Sequence, residues 1–182
     1  MDLGTRWGQN MAVFSALRSI YEPFNRHRKI VGFDTFAGFP RIDLKDGNSD
    51  LMKEGNVSVV DNYCQYLEDI MLCHEKHGPL SHIKKYEIVV GDASKSILDY
   101  LDRNTHTIIS LVYFDFDIYK PTKDCLLAIK NRLFKGSILC FDELNDCDSP
   151  GETISLMESV GLNNIRLKRY RYASRVSYFV FE

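Results

Sequence analysis

No stretch of this chain holds the roughly 18 consecutive apolar residues a membrane-spanning helix needs, and no secretory-leader pattern opens it. Neither sign of charge dominates. The 23 Lys and Arg are set against 25 Asp and Glu, a net charge of −2, so the basic face that broad nucleic-acid binding relies on is not expected. The five cysteines, at 64, 73, 125, 140 and 147, form no Cys-x-x-Cys pair, which removes the commonest dithiol redox and zinc-ribbon spacings. Cys125 and Cys140 stand in apolar contexts and read as buried free thiols of a reducing compartment, so the cytoplasm is the expected location. Two glycine signatures are also missing. Without Gly-x-Gly-x-x-Gly the dinucleotide fingerprint fails, and without Gly-Lys-Ser/Thr no triphosphate loop forms. There is no internal repeat and no low-complexity tract.

What remains is one domain's worth of chain, residues 1–182, at 45% hydrophobic. Its centre is the run from Ile108 to Phe114, apolar enough to be a strand buried on both faces of a parallel sheet. The run ends in Asp115 and Asp117, and Pro121 follows in what suits the first turn of a helix. The same shape recurs where Ser137–Phe141 runs into Asp142 and Glu143.

Taken in order, a glycine-bearing turn, Asp2-Leu-Gly4-x-x-x-Gly8, leads into a helix over Gln9–Phe24. Val13, Leu17, Ile20 and Phe24 there, with Phe14 and Tyr21 beside them, predict one buried stripe. Arg26–Lys29 reads as a solvated basic turn before a strand, Ile30–Phe33, that ends at Asp34. From about Pro40 to Val60 periodicity vanishes, and the spacing predicts a lid or a disordered segment. A helix over Asn62–His77, a strand over Tyr86–Val90 and a helix from Gly91 to about Asn104 follow. The rest predicts a helix over Pro121–Leu133, a helix over Glu152–Val160 and a closing hairpin, Asn164–Arg169 with Ser177–Phe181. Strands alternating with helices imply an α/β fold: a mostly parallel, Rossmann-like sheet with helices on both faces and an antiparallel terminal strand.

In such sheets ligands sit beyond the carboxyl ends of the strands. The glycine turn lets backbone approach a ligand and opens a helix N-terminus; Asp34 is placed to accept from both hydroxyls of a ribose. Gly91 and Asp92 would offer an edge to an adenine, so an adenosyl ligand without a long phosphate chain fits best. Asp115, Asp142 and Glu143 offer hard oxygen ligands on neighbouring strands and suit Mg²⁺ or Ca²⁺. Asp117 would take a proton from a substrate hydroxyl acidified by that cation. The plainer alternative makes these acids solvated strand ends. His74 and His77 read as a solvated helix face, Trp7 as a pocket wall or core residue, and Arg166, Lys168, Arg169, Arg171 and Arg175 as a charged sheet edge. Tyr119 either lines a pocket or packs beneath its helix.

Four stretches carry a resemblance: Asp2–Asn10, Val31–Pro40 with its Asp-Thr-Phe-Ala-Gly-Phe-Pro, Phe114–Tyr119 with Asp-Phe-Asp-Ile-Tyr, and Cys140–Leu144. Together they resemble the macrocin O-methyltransferase (TylF-like) family of class I S-adenosylmethionine-dependent methyltransferases. That resemblance implies a seven-stranded sheet and Mg²⁺-dependent methyl transfer to a hydroxyl of a sugar, nucleotide-sugar or other small hydroxylated metabolite. It carries metal ligation onto Asp115, Asp142 and Glu143, and the general base onto Asp117. It puts Gly4, Thr5, Arg6, Trp7, Gly8, Asp34, Thr35, Gly91, Asp92 and Ala93 at the cofactor.

Two departures stand out. Glu143 occupies a position usually held by Asp, and the helices that family members carry upstream of the first strand are missing here. A fragment with a truncated first strand is therefore expected, with self-association left open. Two rival readings are a nicotinamide-dependent reductase on the same sheet and a non-catalytic adenosyl-ligand-binding or assembly domain.

Overall fold

Apolar runs set the sheet, and the chain's alternation sets its layers. The computed structural model describes residues 1–182. In order these form β1 (Asp2–Leu3), α1 (Gln9–Tyr21), β2 (Ile30–Asp34), α2 (Tyr63–Lys76), β3 (Tyr86–Val90), α3 (Ala93–Arg103) and β4 (Ile109–Phe114). Then come α4 (Tyr119–Ile129), β5 (Leu133–Phe141), α5 (Gly151–Ser159), β6 (Lys168–Arg169) and β7 (Ser177–Val180). The seven strands lie in the order β3-β2-β1-β4-β5-β7-β6. All pairings are parallel except those β7 makes with β5 and β6. This is the expected Rossmann-like sheet with an antiparallel carboxyl-terminal strand. The chain runs outward from β1 to β3 and then crosses back to β4, so the switch point lies between β1 and β4, where such sheets open a crevice.

The main core forms where the central strands meet α3, α4 and α5. Leu3, Phe33, Val112, Phe114, Leu139, Phe141 and Phe179 from the strands pack with Ile97, Cys125, Ile129 and Leu156 from the helices. Phe114 and Phe141 stack with centroids 4.7 Å apart, which locks β4 to β5 just before each strand delivers its acids.

Several expectations need correction. α1 ends at Tyr21, and most of its predicted stripe faces outward: Val13, Leu17, Ile20, Tyr21 and Phe24 are exposed, and only Phe14 packs inward, against the cluster of Met11, Leu67 and Met71. The buried positions are Met11, Ser15 and Arg18. A charge cluster explains the reversal, because the Arg18 guanidinium meets Glu75 at 2.6 Å and Lys85 reaches the same carboxylate at 2.6 Å. α4 starts earlier than expected, at Tyr119; β5 starts at Leu133, and β6 is only two residues long.

The segment 40–60, expected as a lid or as disordered, is fastened at three points. Asp46 is buried and accepts from the backbone N–H of Tyr119. Phe39, Met52 and Ile118 form a small apolar cluster. Ser49 donates to the Asp148 carbonyl at 2.8 Å.

Candidate active site

A cleft of about 340 Å³ opens at the carboxyl ends of β1, β2, β3, β4 and β5. Gly4, Arg6, Asp34, Thr35, Gly91, Asp92 and Ala93 line one part of it; Asp115, Asp117, Asp142 and Glu143 line another. The sequence separates Asp34 from Asp142 widely, yet parallel strands halting at a common edge bring both to one rim.

The first turn is shaped by contact with β4. Gly4 has φ +94°, and a Cβ there would lie 1.9 Å from the carbonyl oxygen of Asp115. Only glycine lets this turn close onto the next strand. Asp34 accepts from the backbone N–H of Arg6 at 2.7 Å and of Phe36 at 2.6 Å, so the ends of β1 and β2 are tied together. Burial raises the Asp34 carboxyl above its ordinary range, with those bonds opposing the rise. Asp92 caps α3 by accepting from the Ser94 N–H at 3.0 Å.

Three of the expected cofactor residues stand outside the cleft. Thr5 is buried and donates to the Asp2 carbonyl. Trp7 packs edge-on against Tyr63, centroids 4.8 Å apart. Gly8 leaves room for Leu67, whose methyl a Cβ would meet at 2.3 Å. These positions build the turn and seat α2 rather than wall the cleft.

The acids are crowded and poorly neutralised. Asp115 is pushed up to about 8, first by burial and then by Asp142 and Asp117. Asp117 is pushed up to about 7, again by burial and then by Glu143 and Asp142, while Arg175 and Arg6 pull the other way. Asp117 also holds φ +61°, a strained backbone for a non-glycine residue and one that recurs at functional sites. Asp142 accepts from the Tyr113 hydroxyl at 2.6 Å. Glu143 accepts from Ser149 and pairs with Arg175.

The ligand atoms that converge to within 4.8 Å of one another are those of Asp146, Cys147 and Asp148, not those of the expected triad. As a donor set, Asp115, Asp142 and Glu143 nonetheless fit a hard divalent cation: all are oxygens, on one rim, with more negative charge than Arg175 offsets.

Sequence reasoning missed three residues here. Glu152, at the start of α5, is fully buried and accepts from the backbone N–H groups of Phe116 (3.1 Å) and Glu143 (3.3 Å), joining the loops after β4 and β5. Burial, followed by Asp117 and Asp115, raises its carboxyl well above the usual range. Asp2 is fully buried, accepts from Asn10 at 3.2 Å with one oxygen, and leaves the other unpartnered. Its carboxyl is pushed up to about 6 by burial. Arg175, expected on a charged sheet edge, turns instead to the rim and lines the cleft. The signal for Glu152 was its place in a helix's first turn, two positions after Pro150; nothing in that pattern predicts burial. Tyr119 packs beneath its helix, its hydroxyl held by Glu158 at 2.6 Å, and does not line the cleft.

No protein-family model matches the chain, and no curated protein matches it. Solved structures do. A crystal structure of CalS11, named a calicheamicin methyltransferase, superposes with a TM-score of 0.97 at 38% identity, covering 100% of this chain and 71% of that one. The apo structure of CalS11, named a TDP-rhamnose 3'-O-methyltransferase, gives 0.85 at 35% identity over 100% and 70%. The O-methyltransferase NovP gives 0.69 at 15% identity over 98% and 69%, a likeness of fold. With a Rossmann-like sheet, a cleft at its switch point and this degree of identity over its whole length, the chain belongs to the class I S-adenosylmethionine-dependent O-methyltransferases.

Proposed function

We propose that this enzyme is a divalent-metal-assisted O-methyltransferase of the TylF-like group, acting on a hydroxyl of a nucleotide-linked or free sugar. The observation that carries the reading is the pairing, in one cleft, of a glycine-turn and Asp34 edge with a crowded carboxylate rim. The substrate class rests on CalS11 being named a TDP-rhamnose 3'-O-methyltransferase.

In this reading Gly4, Arg6, Asp34, Thr35, Gly91, Asp92 and Ala93 hold S-adenosylmethionine, with Asp34 on the ribose. Asp115, Asp142 and Glu143 would hold Mg²⁺ or another hard divalent cation, which when bound acidifies a coordinated hydroxyl. Asp117 faces the same space and accepts the proton of the acceptor hydroxyl. Its pKa, raised first by burial and then by Glu143 and Asp142, whose charge a cation would partly neutralise, suits a base working near neutrality. Glu152 holds the Phe116 and Glu143 backbones, so it positions the base and a metal ligand together. Leu51, Val57 and Pro40 of the fastened segment line the same cleft and would face the bound substrate.

The orientation required is modest: the oxygen about 3 Å from the methyl, in line with the departing sulfur. The test is methyl transfer from S-adenosylmethionine to a panel of thymidine-diphosphate sugars and free sugars, with added Mg²⁺ or with EDTA. Transfer that EDTA abolishes and Mg²⁺ restores supports the reading. Transfer indifferent to EDTA removes the metal, and transfer to none of the sugars removes the substrate class.

A further inference from the structure

No acid stands between Glu158 and Glu182, a stretch that carries Arg166, Lys168, Arg169, Arg171 and Arg175. Lys168 and Arg169 form β6, where charge guards an exposed sheet edge. Edge protection does not account for the turn that follows. Tyr170, Arg171, Tyr172 and Arg175 lie beyond the strand and are all exposed, Tyr172 at 81%.

Strand register fixes where that turn sits. Ser177 pairs with Phe141, the last residue of β5, and Arg169 pairs with Ser177. Residues 170–176 therefore project past the same sheet edge as Asp142 and Glu143. The turn is closed on itself: the Tyr170 N–H donates to the Val176 carbonyl at 3.0 Å, and the Arg169 guanidinium donates to the Ser174 carbonyl.

Arg175 reaches the rim from outside. Its side chain is 57% exposed although it pairs with buried Glu143, and Asp146 lies 3.5 Å away. One hydrogen bond, to Glu143, engages a guanidinium that carries five N–H donors, so its open side has donors to offer. Of the residues lining the cleft only Arg6 and Arg175 are cationic, against six acids, and Arg6 belongs to the glycine turn. Further out, Arg171 lies over the Tyr172 ring, 5.7 Å from its centroid, and Tyr170 meets that ring edge-on at 5.9 Å.

We propose that this turn recognises the nucleotide half of the acceptor: Arg175 and Arg171 take the diphosphate of a nucleotide-linked sugar, and Tyr172 stacks on its base. The proposal rests on the reading of the carboxylate rim as the place where a sugar hydroxyl reacts, and it narrows the acceptor to the nucleotide-linked form. Guanidinium groups match phosphate oxygens in bidentate geometry, and an exposed aromatic face accepts any base. The groups follow the order of such a ligand. Acids meet the hydroxyl end, a guanidinium borders them, and an aromatic ring lies beyond it. A dianion entering a cleft lined by acids also needs cations at the mouth to draw it in. A free sugar carries no charge and would leave these arginines no part in binding.

Calorimetric titration of thymidine diphosphate and of thymidine into the full chain, saturated with S-adenosylhomocysteine, tests this. EDTA is present so that no cation bridges the diphosphate. The wild type is expected to bind thymidine diphosphate at least about tenfold more tightly than thymidine. Arg175→Gln is expected to erase most of that preference. Tyr172→Ala, which has no bond to the rim, is expected to weaken both ligands about tenfold. Arg166 lines a groove with Leu133 and Phe181 at the other end of the sheet, so Arg166→Gln makes the same charge change and is expected to alter neither ligand. Affinity for S-adenosylhomocysteine should hold in all three variants. A wild type without the preference overturns the proposal, as does a preference that survives Arg175→Gln or falls equally in Arg166→Gln. Unchanged binding of both ligands to Tyr172→Ala overturns it too. No methyl transfer is read, so failure here is distinct from failure of the EDTA and sugar-panel test.

Discussion

Gly4→Ala probes the contact on which the whole cleft is built. The residue holds φ +94°, and its missing Cβ would sit 1.9 Å from the Asp115 carbonyl oxygen, 2.6 Å from its carbon and 3.2 Å from the Phe116 nitrogen. These are backbone atoms of the strand that delivers the acids, so no side-chain rotation relieves the clash. Left-handed backbone for a residue with a Cβ costs about 1–2 kcal/mol, and forcing an extra carbon into a packed contact costs about 1–3 kcal/mol more. The sum, about 2–5 kcal/mol, corresponds to a Tm lowered by about 4–20 °C in a domain of this size.

The change also pushes Asp115 and the glycine turn apart, so affinity for S-adenosylhomocysteine should fall at least about tenfold. Gly55→Ala is the control. It has φ +78° but nothing within 4 Å of the added carbon, so it should lose only the conformational part, about 2–8 °C, and keep its affinity. Differential scanning fluorimetry and calorimetric titration read both effects. Equal losses of Tm in the two variants, with affinity kept in both, would refute the reasoning.

Asp117→Asn should keep affinity for S-adenosylhomocysteine while kcat falls about 10²–10⁴-fold; unchanged turnover removes Asp117 from the base role. Without metal, Asp115 and Asp117 are raised to about 8 and about 7. The folded state therefore keeps protons that the unfolded chain has released near pH 4, and stability is lost as pH rises from about 4 to about 8. Tm measured across that window should decline, and saturating Mg²⁺ should flatten the decline; a flat metal-free profile contradicts the crowding. Glu152→Ala strands two backbone N–H groups and should cost about 2–5 kcal/mol in urea denaturation. Glu152→Gln keeps an acceptor and should cost less, so equal costs would count against the bridging role.

Much of this was readable from the chain. The apolar run before Asp115 and its echo before Asp142 gave two adjacent strands, and regular alternation gave the parallel sheet. Once strands end at a common edge, the gathering of Asp34, Asp115, Asp117, Asp142 and Glu143 follows from topology. What could not be read depends on partners distant in number. α1's apolar stripe looked inward-facing because inward is the usual outcome. The decision rests on Arg18 finding Glu75, 57 residues on, with Lys85 beside it. Glu152 resembled a first-turn acid facing solvent until two loops closed over it. Arg175 belonged to a basic run in and around β6, and only the fold aims it, of that run, at Glu143.

The most direct measurement is a crystal structure with S-adenosylhomocysteine and Mn²⁺, the metal located by its anomalous signal. The account predicts ribose hydroxyls on Asp34 and an anomalous peak among Asp115, Asp142 and Glu143, beside Asp117. A nucleoside seated away from Asp34, or a metal peak confined to Asp146 and Asp148 on the surface, would contradict it.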